Sequence, residues 1–156
     1  MTQDVYYPDP AALEGYAVKD WKALEDRAKA DPQAYWAEQA SELVWSKPWD
    51  EVLDASNAPF FKWFVGGKTN IVSNCIDRHL TRPYKHKLAL MWVGENGVDQ
   101  QTYSYFSLNR EVTKMANVIK AMGVGKGDKV TIYLPRIPEV VFAMLACAKL
   151  GAVHSV

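Results

Sequence analysis

Cysteine is scarce: Cys75 and Cys147 are the only two in 156 residues. Two are too few for the disulfide framework of a small secreted domain, and their spacing fits no zinc site. Both are therefore read as reduced thiols of a cytoplasmic protein. Charge of one sign is missing as well. Eighteen Lys and Arg balance eighteen Asp and Glu, so no overall field draws in nucleic acid or an anionic membrane surface. The most apolar run, VVFAMLACA, is far shorter than the ~20 residues that cross a bilayer. The opening, MTQDVYYPDP, has no basic start followed by an apolar run, so no secretory signal is expected. Internal repeats and low-complexity tracts are lacking too. These absences predict a soluble, cytoplasmic protein with neither nucleic acid nor membrane as partner.

What is present is a globular composition, 49% hydrophobic and 23% charged, sufficient for one ordinary core. Six tryptophans stand out, and five of them (Trp21, Trp36, Trp45, Trp49 and Trp63) fall in the first 63 residues. Each carries a large apolar area and one polar atom, so such residues often fix a small layer to a larger body. Plain core packing is the expectation, with an exposed partner surface as the alternative.

The chain has two parts with different patterns. Up to about residue 86 it reads as helical and irregular. Asp31 is placed to cap a helix whose first position is Pro32, with Tyr35, Trp36, Gln39, Ala40 and Leu43 on one side and Pro48 as its end. FFKWFV is strand-like and halts at Gly66-Gly67. TNIVSNCIDRHL predicts a second helix, started by Thr69 or Asn70 and carrying Ile71, Asn74, Cys75, Arg78 and His79 in register. TRPYKHK, with Pro83, marks the boundary.

From residue 87 the signals are those of an α/β unit. KLALMWVGENGVDQQTYSYFSL predicts a β-hairpin. A helix from Ser107 to Met122 follows, capped by Ser107, with Leu108, Val112, Met115, Ala116, Ile119 and Met122 as its apolar stripe and Gly123 as its stop. A strand from Val130 to Leu134, a helix opened by Pro138 and ended by Gly151, and a strand in AVHSV form one βαβ unit. The helix is apolar nearly all round from Val140 to Ala148, and parallel strands need cover on both faces. The fold class expected is thus α/β: a helical amino-terminal layer, then a hairpin and the first βαβ unit of a larger, mostly parallel sheet domain that is incomplete here. Residues 1–86 form the cap layer and 87–156 the start of the large domain.

Local chemistry is sparse. GVGKGD has the glycines of a phosphate loop, but they follow a helix and precede a strand, the reverse of the order that points backbone N–H groups at an anion. It is a turn. Arg78, His79, Arg82, Lys85, His86 and Lys87 crowd one stretch, either to meet an anionic ligand or as a solvated loop with local ion pairs, which charge runs usually are. Cys75 and His79 are spaced to share a metal, yet no third ligand is near in sequence. Asp77 with Arg78 and His79 reads as capping and ion pairing that fixes the front layer to the body. His154 belongs near the carboxyl end of a parallel strand, where open α/β sheets bind ligands, although a lone strand histidine is more often structural. No nucleophile with its base and no pair of poised carboxylates can be assembled locally.

Taken together, AYWAEQASELVWSKPWDEVLD, FFKWFVGGKTNIVSNCIDRHL and MGVGKGDKVTIYLPRIPEVVFAMLACAKLGAVHSV resemble, in order, the amino-terminal portion of AMP-forming acetyl-coenzyme A synthetases. NCIDRHL and LACAKLGAVHSV carry the resemblance most specifically. It implies a ligase that activates acetate or another short carboxylic acid with ATP and magnesium, then passes the acyl group to coenzyme A. It also implies a large amino-terminal domain and a small mobile one. The family's phosphate loop, nucleotide contacts, acyl pocket and carboxyl-terminal lysine lie outside the matching stretch. No catalytic, cofactor-binding or metal-ligating residue is therefore carried onto this chain. The resemblance instead gives Trp45, Trp63, Asp77, Arg78 and His79 a packing role against the large domain, and Pro135, Pro138 and the helix to Gly151 a role under its sheet. The expectation is the amino-terminal part of such an enzyme, inactive alone, with the remainder of the large domain as its partner and neither ATP nor coenzyme A well bound. The alternative is a non-catalytic interaction module or split-enzyme subunit that pairs with that remainder.

Overall fold

The structure, a computed structural model, describes residues 9, 11, 14–16, 18, 20–81 and 83–156. The chain divides between Glu42 and Leu43 into two compact units.

Among the described residues, the first unit contains two short helices, α1 (Trp21–Ala30) and α2 (Pro32–Ser41). Each starts at an aspartate whose carboxylate takes an otherwise unpaired N–H: Asp20 accepts from Ala23 N and Asp31 from Ala34 N, both at 2.9 Å. Pro32 takes the first position of α2, as the sequence predicts. Arg27 links the helices, reaching Glu38 at 3.4 Å and lying 5.2 Å from the centre of the Tyr35 ring. Helix α1 was not among the sequence expectations, and α2 ends at Ser41, well before Pro48. The reason lies past the helix. Val44 N–H donates to the Asn74 side chain at 2.8 Å, the Val44 carbonyl accepts from Thr69 Oγ1 at 2.7 Å, and Lys47 pairs with Lys68 in an isolated antiparallel bridge. These partners draw residues 44–47 out of helical geometry.

The second unit opens with the antiparallel pair β1 (Glu51–Asp54) and β2 (Lys62–Val65), with Leu53 opposite Trp63. Gly66, at φ +76, turns the chain out of β2. Helix α3 (Ile71–Cys75) is capped by Asn70, whose Oδ1 accepts from Val72 N at 2.8 Å. The single helix predicted over TNIVSNCIDRHL is thus two pieces. Ile76 breaks it at φ −127 and ψ −62, and Asp77–Leu80 form a 3-10 turn. The break buries Ile76 while letting Asp77 reach Lys149 at 3.1 Å and His79 lie 4.6 Å from the Tyr105 ring.

A second 3-10 turn, Tyr84–His86, leads into the hairpin of β3 (Leu88–Val93) and β4 (Gln100–Ser104). Helix α4 (Tyr105–Ala121) begins directly after β4. Its cap is Ser104, whose hydroxyl takes Ser107 N at 3.2 Å, so Ser107 lies in the first turn and is not the cap. Leu108, Val112, Ala116 and Ile119 are buried, whereas Met122, beyond the last turn, is 77% exposed. Strand β5 (Lys129–Thr131) and strand β6 (Val153–Ser155) pair in parallel around helix α5 (Pro138–Leu150), the βαβ unit that the sequence predicts. The fifth strand is shorter than expected. Ile132 N–H makes the last ladder bond, to Ser155 at 2.8 Å, and Tyr133 beyond it is 98% exposed.

Packing is carried by helices. Val72, Ile76, Leu108, Val112 and Phe142 form one cluster, and Ala116, Ile119, Ala146, Cys147 and Ala152 the other. Of the thirteen residues of α5 only Glu139 is exposed, which explains why its apolar residues surround the helix rather than forming a stripe. Tryptophan does not enter the core. Trp21, Trp36 and Trp63 are exposed, while Trp45 and Trp49 are half-buried and meet Phe64 at centroid distances of 5.6 and 5.2 Å. The core-packing expectation is corrected on this point: a ring this large is rarely closed in on all sides.

Candidate functional site

Because β5 and β6 run in parallel, their carboxyl ends face the same way, and in open α/β sheets ligands lie at that edge. Here the edge holds Tyr133, Leu134 and the loop to Ile137. A hollow of about 620 Å³ beside it is lined by Trp92, Val93, Glu95, Pro135, Arg136 and Ile137. Trp92 Nε1 donates to the Arg136 carbonyl at 2.7 Å and ties the loop after β5 to β3. His154 sits on β6 opposite Val130, half-buried. The lining offers one acid, one base and apolar walls, with no nucleophile beside a general base.

The other residues singled out from sequence are engaged elsewhere. Lys85 lies 4.6 Å from the Phe106 ring centre and Lys87 4.6 Å from that of Tyr84, so both ammonium groups sit over local aromatic faces. Arg82 lies outside the described residues. Asp77 pairs with Lys149, which also donates to Asn109 Oδ1 at 3.2 Å, joining the 3-10 turn to α4 and α5. Among the described residues no three His, Cys, Asp or Glu side chains gather as metal ligands. Gly125 and Gly127 form the turn before β5, where Gly125 N–H donates to Asp128 Oδ2 at 2.8 Å.

Shifted acidities also fall away from the carboxyl edge. Burial pushes the thiols of Cys147 and Cys75 up, the latter with help from Asp77. Burial, then the Glu139 and Glu111 charges, raises the Tyr103 phenol. Hydrogen bonds from Arg110 and Lys114 hold Glu111 below the usual carboxylate range, and those from Ser56 do the same for Asp54. These are packing and surface-pairing effects, not a poised acid and base.

Carboxylates cap the amino ends of α1 and α2, and Glu139 occupies the first turn of α5, so three helix ends that would favour an anion carry negative charge instead. No buried side-chain polar atom among the described residues lacks a partner. Sequence reasoning missed a second cleft, lined by residues from Val44 to Gly151. Its walls come from segments about a hundred residues apart, and no local pattern marks it.

Comparison with known proteins gives a consistent result along the chain. Residues 21–75 match the family model described as acetyl-coenzyme A synthetase N-terminus, and residues 77–156, just over half of the chain, match that described as AMP-binding enzyme. An acetyl-coenzyme A synthetase from Gemmatimonas aurantiaca is 50% identical over 149 residues, covering 96% of this chain and 22% of that protein. The acetyl-coenzyme A synthetase of Streptomyces avermitilis is 47% identical over 156 residues, all of this chain and 24% of its own length. Among solved structures, acetoacetyl-CoA synthetase from Streptomyces lividans superposes with a TM-score of 0.76 at 29% identity, covering 93% of this chain and 22% of that one. The chain therefore spans less than a quarter of the length of these relatives, and its α/β architecture is that of their amino-terminal part.

Proposed function

Since the chain belongs to the AMP-binding enzyme family, we propose that it is the opening scaffold of an adenylate-forming ligase and supplies none of the reacting groups. The longer polypeptide activates acetate with ATP and magnesium, releasing pyrophosphate, and passes the acetyl group to coenzyme A in the cytoplasm. Residues 1–86 form its cap layer and 87–156 the start of its large domain, whose remaining strands and helices are this segment's partner.

What supports the reading is similarity to acetyl-coenzyme A synthetases that runs unbroken over nearly the whole chain. The geometry agrees with a supporting role. Helix α5 is enclosed on nearly every side, yet the parallel pair it connects has three residues per strand, short of the ~5–6 that strands usually have. Asp77–Lys149 and Asn70–Ala148 then tie the segment before the hairpin to α5. On this reading the residues of this chain hold a sheet in place.

Incubating the full-length polypeptide with acetate, ATP, magnesium and coenzyme A tests the reading, with the thioester detected by mass. Acetyl-coenzyme A is the expected product. No thioester from acetate or any other short acid would sink the proposal.

A further inference from the structure

The second cleft lies at the other end of the parallel pair, where Lys126 precedes β5 and Gly151 precedes β6. It encloses about 680 Å³ between Val44, Ser46, the segment from Gly67 to Ser73, Lys126 and the end of α5, within the usual range for small-molecule sites. Three of its lining residues are lysines, Lys68, Lys126 and Lys149, and no Asp or Glu lines it. In a chain whose charges sum to zero, that is a concentrated positive field.

The three ammonium groups are not equivalent. Lys149 is held by Asp77 and Asn109. The ammonium groups of Lys68 and Lys126 have no ion-pair or hydrogen-bond partner among the described residues. Their backbones are nevertheless fixed. The Lys68 N–H donates to the Lys47 carbonyl at 2.8 Å, and the Lys68 carbonyl accepts from Ser46 N at 2.8 Å and Ser46 Oγ at 3.0 Å. Lys126 lies against Gly151, where an added Cβ would meet its Cγ at 3.2 Å, and the next residue, Gly127, bonds to the Gly151 carbonyl at 2.9 Å.

The carboxyl end of α5 lines the same cleft, and two of its last carbonyls, those of Cys147 and Ala148, already have partners. Asn70 Nδ2 donates to Ala148 O at 2.9 Å, as does Gly151 N at 3.2 Å, and Ala152 N donates to Cys147 O at 2.9 Å. The lining thus combines Lys68 and Lys126, the already paired Lys149, and the polar side chains of Ser46, Thr69, Asn70 and Ser73. Clustered like charges in a concave wall repel one another and concentrate a counterion.

We propose that this cleft is an anion site for a phosphate-class ligand carrying at least two negative charges, held by Lys68 and Lys126. Lysine binds phosphate as a point charge and lacks the flat fork that would select a carboxylate. The site is separate from the carboxyl edge of the sheet, and it stands whether or not the ligase reading holds. A free inorganic anion and a phosphate ester share this chemistry.

Lysine dimethylation by formaldehyde and cyanoborohydride, read peptide by peptide, distinguishes them in the full-length polypeptide. Separate arms contain inorganic phosphate, pyrophosphate, a nucleoside monophosphate, or sodium chloride at matched ionic strength. Lys68 and Lys126 become protected by the phosphates, while Lys120, exposed on α4, reacts at its chloride rate. Protection by the inorganic ions alone assigns a free anion; protection by the monophosphate too assigns an ester. Lys68→Ala weakens protection of Lys126 about tenfold in anion concentration, and Lys126→Arg keeps that of Lys68. Labelling of Lys68 and Lys126 that is the same in every arm, or protection of Lys126 untouched by Lys68→Ala, overturns the proposal.

Discussion

At the scale of single residues, Gly67 stands where a side chain has no room. A Cβ there would stand 2.7 Å from Trp45 Cζ3 and 3.0 Å from the Phe64 carbonyl, so the ring that meets Trp49 at 5.1 Å would have to move. Gly67→Ala is expected to cost about 1–3 kcal/mol, read as a lower urea midpoint with unchanged slope. The thiols give a second prediction. Cys147 is fully buried and Cys75 exposed, so iodoacetamide alkylates Cys75 first under native conditions. Burial also lifts the Cys147 pKa above its ordinary 9.0. The folded state resists the thiolate, so this stabilisation is complete below the ordinary value and is lost as pH rises through the raised one. Urea melts from neutral pH to about pH 10 should therefore lose stability more steeply for the natural chain than for Cys147→Ala; parallel slopes would refute this.

At the scale of elements, Asn70 joins two of them with one side chain. Its Oδ1 caps α3 and its Nδ2 reaches Ala148 at the end of α5. Asn70→Ala loses both bonds, at about 1–3 kcal/mol. Asn70→Asp keeps the cap but sets a carboxylate against a helix's negative end, so it is also less stable than the natural protein. Equal midpoints for Asp and Asn would mean that the link to Ala148 contributes nothing. Elements specified by their own residues were legible in the sequence. Asp31 and Pro32 start α2 and Gly151, at φ +75, ends α5, as their types demand. Elements set by distant partners were not. The end of α2 is decided by Thr69 and Asn74, the break at Ile76 by Lys149 and Tyr105, and the length of β5 by its ladder to Ser155. The cap of α4 moved for a local reason: Ser104 and Ser107 both suit the role, and the strand ends at the first. The lysine cleft was invisible because Lys68, Lys126 and Lys149 meet only once α5 has crossed back.

At the scale of the whole molecule, the second unit is a helical core with three separate two-stranded sheets around it. Two pairs are hairpin-like and local, but β5 and β6 are parallel and need α5 between them. Such a pair is a beginning of a sheet, which accords with a chain that spans less than a quarter of its relatives. Some charged groups pair on the surface, as Lys47 does with Asp50 and Arg110 with Glu111, and Lys68, Lys126 and Lys149 gather in one cleft. We propose that this segment scaffolds carboxylate activation without performing any of it. Acetate-dependent exchange of labelled pyrophosphate into ATP tests that most directly, measured on the purified 156-residue chain beside the full-length polypeptide. The expected result is exchange by the longer protein and none by the segment; exchange by the segment that persists through repurification would contradict the account.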